Sequence, residues 1–335
     1  MRRNLPIILS VLLAGCSPDA VAPLADAPAR TPSADVQATL NRSKNSANFV
    51  IWGDNSAQQI TDAPVNEDIK AIAPGGARQG LVIRHDGSLF LWGSVGVPST
   101  VPQPMPAALA NDEYESAYLA LSTLYAIRKN HSVVSWGNFL GGTPATPPAG
   151  LKARQVAGGS THGVAIEVSG GLVTWGSGPA VLVAPPEGKF TEVAARTIYS
   201  IALRKDGTLV GWGGGQFAAD IFNGWMSDGA GHVFVPGERF VAIAAGNQHI
   251  LALRANGTVV GWGKNTFQEN IAPANVRFAA IAAGLNYSIG LTDDGTIRQW
   301  GDASNGTGNV PPGRFVSIAA GARQASALRD DEHGK

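Results

Sequence analysis

Short apolar runs alternate with polar turns along most of this 335-residue chain. In the clearest copy, apolar runs at 250–253 and 259–262 lie on either side of Asn256-Gly257. Such a pair between two apolar runs predicts a type I′ hairpin turn, because both central positions need a positive φ angle. Equivalent pairs recur at Asp86-Gly87, Ser169-Gly170, Asp206-Gly207 and Asp294-Gly295. Each unit is therefore predicted to contain a strand A, a strand B, a tight turn and a strand C.

Strand C of every unit ends in a Trp-Gly pair. The seven tryptophans, called the frame tryptophans below, are Trp52, Trp92, Trp136, Trp175, Trp212, Trp262 and Trp300. They are separated by 40, 44, 39, 37, 50 and 38 residues. A repeat near 40 residues is typical of one four-stranded propeller blade. We therefore predict an all-β fold, a seven-bladed β-propeller of four-stranded antiparallel blades.

The outer and inner strands of each blade differ in composition. A proline follows the frame tryptophan within 12 residues in six units, at Pro64, Pro102, Pro147, Pro185, Pro273 and Pro311. Because proline cannot donate to a ladder, it predicts a fourth strand, D, at the outer edge. Strand A is rich in Ala and Gly, and we expect it to lie innermost, where the blades converge. Sixteen residues before the tryptophan, Gly recurs, and the exceptions are Ala120 and Arg196.

The two ends of the repeat region are incomplete in complementary ways. Residues 315–321 and 325–329 supply strands A and B after Trp300, but no Trp-Gly pair follows them. Residues 49–53 supply a strand C with no A or B before it. We therefore expect the N-terminal strands to pair with the C-terminal strands and complete the seventh blade, which removes the free edges of an open array.

These features resemble the repeat of the regulator-of-chromosome-condensation family, whose blades end in Trp-Gly and carry an internal Asp-Gly turn. The resemblance covers roughly residues 48–330. The short blades are more similar to secreted bacterial members, notably the propeller-type β-lactamase inhibitor proteins. A seven-bladed WD-repeat propeller is the alternative fold, but no Trp-Asp dipeptide occurs in the chain.

The first residues resemble a bacterial lipoprotein signal peptide. Arg2-Arg3 precede an apolar run at 5–13 that is too short to span a bilayer. Residues 13–16, Leu-Ala-Gly-Cys, resemble a lipobox, in which Cys16 is acylated. An ordinary signal peptide is the alternative. We predict a signal peptide at 1–15, the lipidated Cys16 and a flexible Ala/Pro-rich tether at 16–47, and the propeller at 48–335. By the same resemblance, Ser17 after the cysteine places the protein in the cell envelope, at the outer membrane.

Charge and motif spacing argue against several classes of function. Lys plus Arg number 25 and Asp plus Glu number 25, and without a basic tract we expect no nucleic-acid partner. No Cys/His/Asp/Glu spacing predicts a metal site, so we expect no cofactor and propose no catalytic residue. Thirteen residues before the tryptophan lies a position that we call the polar slot. It is occupied by Gln79, Thr123, His162, Tyr199, His249 and Tyr287, a mixture that predicts structural hydrogen bonding.

Departures from the repeat give the candidate binding residues. The unit after Trp212 carries an insertion within 214–235, between strands C and D, on the same side as the A–B corners. Exposed aromatic side chains on such loops are good partner anchors. We predict partner-binding residues at Phe217, Phe222, Trp225, Met226, Phe267 and Phe139. The alternative is that the inserted side chains fold back onto their own blade.

The sequence thus predicts a non-enzymatic, lipid-anchored recognition module. It would bind a protein partner through the rim of A–B and C–D loops, as a monomeric propeller. One alternative is a propeller enzyme of the lyase or hydrolase type. Another, implied by the resemblance, is an inhibitor of a β-lactamase-like or cell-wall enzyme. Those inhibitors present aromatic side chains at A–B corners, where this chain has residues such as Thr161, Gln248 and Asn286.

Overall fold

The computed structural model describes residues 48–330, apart from 57, 68, 74–75, 77–78, 94–105, 121–122 and 138–144. The predicted signal peptide, the lipidation site Cys16, the tether and the candidate Phe139 lie outside the described residues. Among the described residues, no helix is long and apolar enough to cross a membrane.

The strands of the described residues form seven antiparallel sheets, which we number along the chain. Sheet 1 contains β2 (Ile69–Ile72), β3 (Gln79–Arg84) and β4 (Leu89–Gly93); sheet 2, β5 (Tyr114–Leu119), β6 (Leu124–Arg128) and β7 (Val133–Trp136); sheet 3, β8 (Ala153–Gly158), β9 (His162–Glu167) and β10 (Leu172–Gly176); sheet 4, β11 (Phe190–Arg196), β12 (Tyr199–Arg204), β13 (Leu209–Gly213), β14 (Met226–Ser227) and β15 (His232–Phe234); sheet 5, β16 (Ala242–Ala245), β17 (His249–Leu253) and β18 (Val259–Gly263); sheet 6, β19 (Phe278–Ala283), β20 (Tyr287–Thr292) and β21 (Ile297–Gly301); sheet 7, β22 (Phe315–Ala320), β23 (Gln324–Arg329) and β1 (Phe49–Gly53). The short helices are α1 (Ala107–Ala110), α2 (Pro179–Leu182) and α3 (Ala218–Ile221), and Gly215–Phe217 form a 3₁₀ turn.

The hairpin between strands B and C differs from the predicted type I′ turn. In the first sheet, Gly87 has a φ of +85°, whereas Asp86 does not adopt a positive φ. Asp86 instead accepts a 2.8 Å hydrogen bond from the backbone N–H of Ser88 through its carboxylate. A single left-handed glycine after a type I turn suits a slightly longer loop than the type I′ turn requires. The turn positions were therefore correct and the turn type was wrong.

The predicted closure of the chain is confirmed. Strand β1 pairs with β23, with Phe49 opposite Leu328 and Trp52 opposite Ala325. Each apolar core lies between two consecutive sheets, and the series ends with Phe49 and Leu328 of sheet 7 packed against Val82 of sheet 1. The seven sheets therefore form a closed ring, as in a β-propeller.

The alanine-rich strands line the centre of the ring, as predicted. The central cavity is bordered by strand A of sheets 2 to 7, including 242–245 of β16 and 280–283 of β19. Small side chains allow these strands to converge, and the larger apolar residues pack between sheets.

The predicted fourth strand is wrong for four sheets. Wherever they are described, residues 54–68, 177–189, 264–277 and 302–314 form no strand and consist of turns, bends, a short helix and irregular loop. Each of these segments contains a proline, which has no N–H to donate to strand C. Only in sheet 4, among the described residues, do further strands extend the sheet, with β15 paired to β13 and β14 paired to β15.

Candidate functional site

The frame tryptophans join each sheet to the one before it. Trp52, Trp92, Trp136, Trp175, Trp212 and Trp300 are buried, and Trp262 is partly buried. Five indole N–H groups donate to backbone carbonyl oxygens in the segment after strand C of the preceding sheet. These bonds run from Trp52 to Thr307 (2.9 Å), Trp92 to Gln59 (2.7 Å), Trp175 to Ala145 (3.0 Å), Trp212 to Ala180 (3.2 Å) and Trp300 to Glu269 (2.9 Å). These tryptophans are framework residues.

The polar slot has the structural role that its composition predicted. The Nε2 atoms of His162 and His249 lie 3.0 and 2.9 Å from the hydroxyl oxygens of Ser200 and Ser288, each in the next sheet. Tyr199 donates from its hydroxyl to the carbonyl oxygen of Gly246, at 2.7 Å. In sheet 7 the equivalent Gln324 donates to the carbonyl oxygen of Gln79, at 2.8 Å. Side chains of different chemistry therefore make the same kind of link between sheets.

Both slot histidines are held neutral. Burial lowers the pKa of His162 to about 4. Burial, with a further contribution from the positive charge of Arg196, lowers the pKa of His249 to about 3. The neutral imidazoles and their hydroxyl partners are buried, and each pair links one sheet to the next.

Two predicted anchors in the insertion are part of the core. Phe222 is only 6 % exposed and packs edge-on against Tyr199, with ring centroids 5.8 Å apart. Trp225 is partly buried and its ring contacts both Phe222, at 5.2 Å, and Trp262, at 5.4 Å. Gly211 of β13 makes room, because a Cβ at that position would clash with Phe222. The prediction that Phe222 and Trp225 are exposed anchors is wrong, since the insertion folds back between sheets 4 and 5.

Three other predicted anchors are exposed. Phe217 is 39 %, Phe267 44 % and Met226 52 % exposed. Sequence analysis missed Leu182 and Ile271, which are also exposed. Both residues lie in segments that were expected to form strand D, so their exposure was not anticipated. We call these five residues the apolar rim.

Close contacts connect several segments of the apolar rim. Pro179, the first residue of α2, lies so near Gly215 that a Cβ added to the glycine would be 2.9 Å from the proline ring. The His232 ring bonds to the carbonyl oxygen of Ala184 through Nε2, at 2.8 Å. On the other side, α3 contacts β18 of sheet 5. The segments after strand C of sheets 3 and 4 thus contact each other, and the segment of sheet 4 also contacts strand β18 of sheet 5.

The central cavity has a different character. It measures about 120 Å³, and its polar lining residues are Ser116, Tyr118, Gln155, Glu192 and Arg196. Several of them connect the inner strands. The Gln155 side chain accepts from the backbone N–H of Val193, at 2.9 Å. Tyr118 donates to the carbonyl oxygen of Ala195, at 2.8 Å.

Glu192 is a buried carboxyl group in this lining. Its Oε2 accepts a 3.0 Å hydrogen bond from the backbone N–H of Ile243 in sheet 5. Burial raises the pKa of Glu192 to about 8, although that hydrogen bond opposes the shift. The carboxyl group is therefore protonated at neutral pH. Among the described residues, no group of three or more His, Cys, Asp or Glu side chains could hold a metal ion.

Comparison with known proteins relates the chain to one repeat family over a limited stretch. The profile of the regulator of chromosome condensation (RCC1) repeat matches residues 240–269. This match, with the structural likenesses below, supports an RCC1-like β-propeller. No curated protein sequence matches the chain.

Several solved structures share the fold. Prp20p from Saccharomyces cerevisiae, described with its binding to Gsp1p and histones, has a TM-score of 0.66 at 17 % identity, over 90 % of this chain and 96 % of its own. Yeast Prp20 bound to Kap60 gives 0.65 at 17 % identity, over 94 % and 98 %. Human WBSCR16 gives 0.65 at 16 % identity, over 86 % and 99 %. At these identities the likeness establishes the β-propeller fold alone.

Proposed function

We propose that this protein is a non-enzymatic recognition module that binds a protein partner through the apolar rim. In this proposal the seven sheets are the seven blades of one closed propeller, and the rim is the face that carries the A–B and C–D loops. The observation that carries the proposal is the exposure of Leu182, Phe217, Met226 and Phe267 on segments of consecutive sheets. Large apolar side chains grouped on a rigid scaffold are typical of protein interfaces.

The chemistry of the rim favours a protein over a nucleic acid. The chain has no net charge, and duplex binding needs a positive face to neutralise phosphates. One structural neighbour supports protein binding as a use of this fold, since yeast Prp20 was solved with Kap60 and was studied for binding to Gsp1p and histones. Those partners belong to Prp20, and the partner of this chain is to be found by experiment.

A matched pair of variants tests the proposal. Full-length protein captures partners from native cell envelopes, and binding to each purified partner is then measured by calorimetry. Phe217→Asp combined with Phe267→Asp is expected to weaken binding at least about tenfold, because anchors at an interface are few and apolar. Val168→Asp is the control, because Val168 is 54 % exposed but lies in the turn between β9 and β10.

Two results would count against this site. Unchanged affinity in the double variant would exclude the apolar rim as the binding surface. An equal loss of affinity in Val168→Asp would show that an added negative charge weakens binding wherever it is placed on the surface.

We also propose that the propeller is anchored to the bacterial outer membrane through Cys16. The support is the lipobox-like sequence of residues 13–16 and the absence of any other cysteine in the chain. Metabolic labelling with a fatty-acid analogue tests the anchor. Wild-type protein is expected to take up label, and Cys16→Ser is expected to take up none, because the thiol is the acylated group. Label on the Cys16→Ser protein would overturn the assignment.

A further inference from the structure

Arg196 departs from the repeat at a position where the fold needs no large side chain. It ends the inner strand β11, sixteen residues before Trp212. The same position in the other sheets is occupied by Gly76, Ala120, Gly159, Gly246, Gly284 and Gly321. Six of the seven sheets therefore have Gly or Ala at this position. The architecture does not require an arginine side chain here.

The guanidinium group is buried without a counter-charge. Arg196 is only 4 % exposed and lines the central cavity, and its Nε has no hydrogen-bond partner. No described carboxylate forms an ion pair with it. Glu192 lies four residues away on the same strand, roughly 13 Å at the usual rise per residue. An uncompensated buried cation is strongly unfavourable, so such groups are normally paired.

The groups around Arg196 are neutral and cannot supply the missing charge. Its positive charge acts on Tyr118, Tyr199, His249 and Tyr287, which belong to four different sheets. Burial raises the pKa of each tyrosine and the guanidinium partly opposes this, so all three remain protonated at neutral pH. The imidazole of His249 is also neutral, as shown above.

The corner after Arg196 is strained. Thr197 has a φ of +44°, a left-handed conformation that β-branched residues rarely adopt. Its hydroxyl donates to the side-chain oxygen of Asn247, at 2.8 Å, which ties the corner to sheet 5. Backbone strain of this kind is concentrated at ligand sites, where the surrounding structure maintains it.

We propose that the central cavity is a binding site for a small anion, with Arg196 as its charged ligand. The cavity, at about 120 Å³, admits an ion the size of chloride, acetate or phosphate. The free Nε donor of Arg196 points to an acceptor, and a bound anion would supply both the acceptor and the negative charge.

Thermal unfolding of the full-length protein tests this site. The midpoint is measured at pH 7 and fixed ionic strength, while gluconate, a bulky anion, is replaced stepwise by chloride, acetate or phosphate. A ligand of the folded state raises the midpoint with its concentration. Wild-type protein is expected to respond to at least one of the three ions, and their order distinguishes a halide, a carboxylate and an oxyanion site.

Two variants separate the site from general salt effects. Arg196→Gly, which restores the residue found in most other sheets, is expected to abolish the response. Arg254→Gln removes a surface charge that is paired with Glu238 and is expected to respond like wild type. A flat midpoint in wild type, or an equal rise in Arg196→Gly, would overturn the proposal. If Arg196→Gly does not fold, Arg196→Gln, which keeps a polar side chain but removes the charge, takes its place, and an equal rise of the midpoint in that variant would overturn the proposal.

Discussion

The indole nitrogen of Trp52 donates a 2.9 Å hydrogen bond to the carbonyl oxygen of Thr307, across 255 residues of sequence. Trp52 also lies opposite Ala325 in the ladder that joins the two ends of the chain. The bond repeats, between the first and last units, the link that Trp92, Trp175, Trp212 and Trp300 make between neighbours. Closure of the ring therefore uses the same contact as the rest of the fold, so the last interface is built like the others.

Deletion of residues 48–64 is expected to open the ring. The change removes β1, which leaves β23 with an unpaired edge, and it removes the frame tryptophan of sheet 7. Denaturant unfolding should lose its cooperativity, and the midpoint should fall sharply. Deletion of residues 17–45 is the control and should leave the transition unchanged. A sharp, wild-type transition in the 48–64 deletion would contradict the closure.

Trp225→Ala is expected to reduce the free energy of unfolding by about 2–4 kcal/mol. The side chain packs between Phe222 and Trp262, so its removal leaves a cavity between sheets 4 and 5. Phe217→Ala, on the exposed rim, should change stability by less than about 1 kcal/mol. Equal stabilities of the two variants in urea titrations would show that the insertion does not form part of the core.

The sequence repeat predicted the architecture. It did not predict how the insertion after Trp212 packs against the sheets. The spacing of the frame tryptophans predicted the ring, because it comes from repeated local hairpins. The split between residues 49–53 and 315–329 predicted its closure, because the two ends supply complementary strands. The burial of Phe222 depends on the space above Gly211, and no local pattern reveals a contact between an insertion and another strand. Arg196 was visible as an exception, but its unpaired guanidinium is a property of the assembled ring.

Stability is expected to fall as the pH drops from about 6.5 to about 4, through two histidines. Burial holds the pKa of His162 at about 4 and that of His249 at about 3, below the ordinary value. In this window the unfolded chain takes up protons that the folded chain does not, which favours unfolding. Each histidine contributes about 1.4 kcal/mol per pH unit.

The variant His162→Gln, His249→Gln tests this pH dependence, because the polar slot already accepts glutamine at Gln79 and Gln324. Its free energy of unfolding, measured by urea titration at each pH, should decline less steeply than that of wild type between pH 6.5 and 4. Parallel curves for the two proteins would mean that other groups cause the acid sensitivity.

Glu192 is expected to reduce stability as the pH rises from about 4.5 to about 8. Its folded-state pKa is raised to about 8, whereas an unfolded glutamate ionises near 4.5. Between these values the unfolded chain releases a proton that the folded chain retains, so stability falls as the pH rises, by about 1.4 kcal/mol per unit. Glu192→Gln removes this titration while keeping an oxygen for the N–H of Ile243, and it should therefore become the more stable protein at pH 9.

Glu67→Gln is the control, because the hydrogen bond from Arg84 lowers the pKa of Glu67, and this carboxylate stays ionised throughout. If the stability curves of wild type and Glu192→Gln have the same slope from pH 5 to 8, Glu192 does not cause this loss of stability.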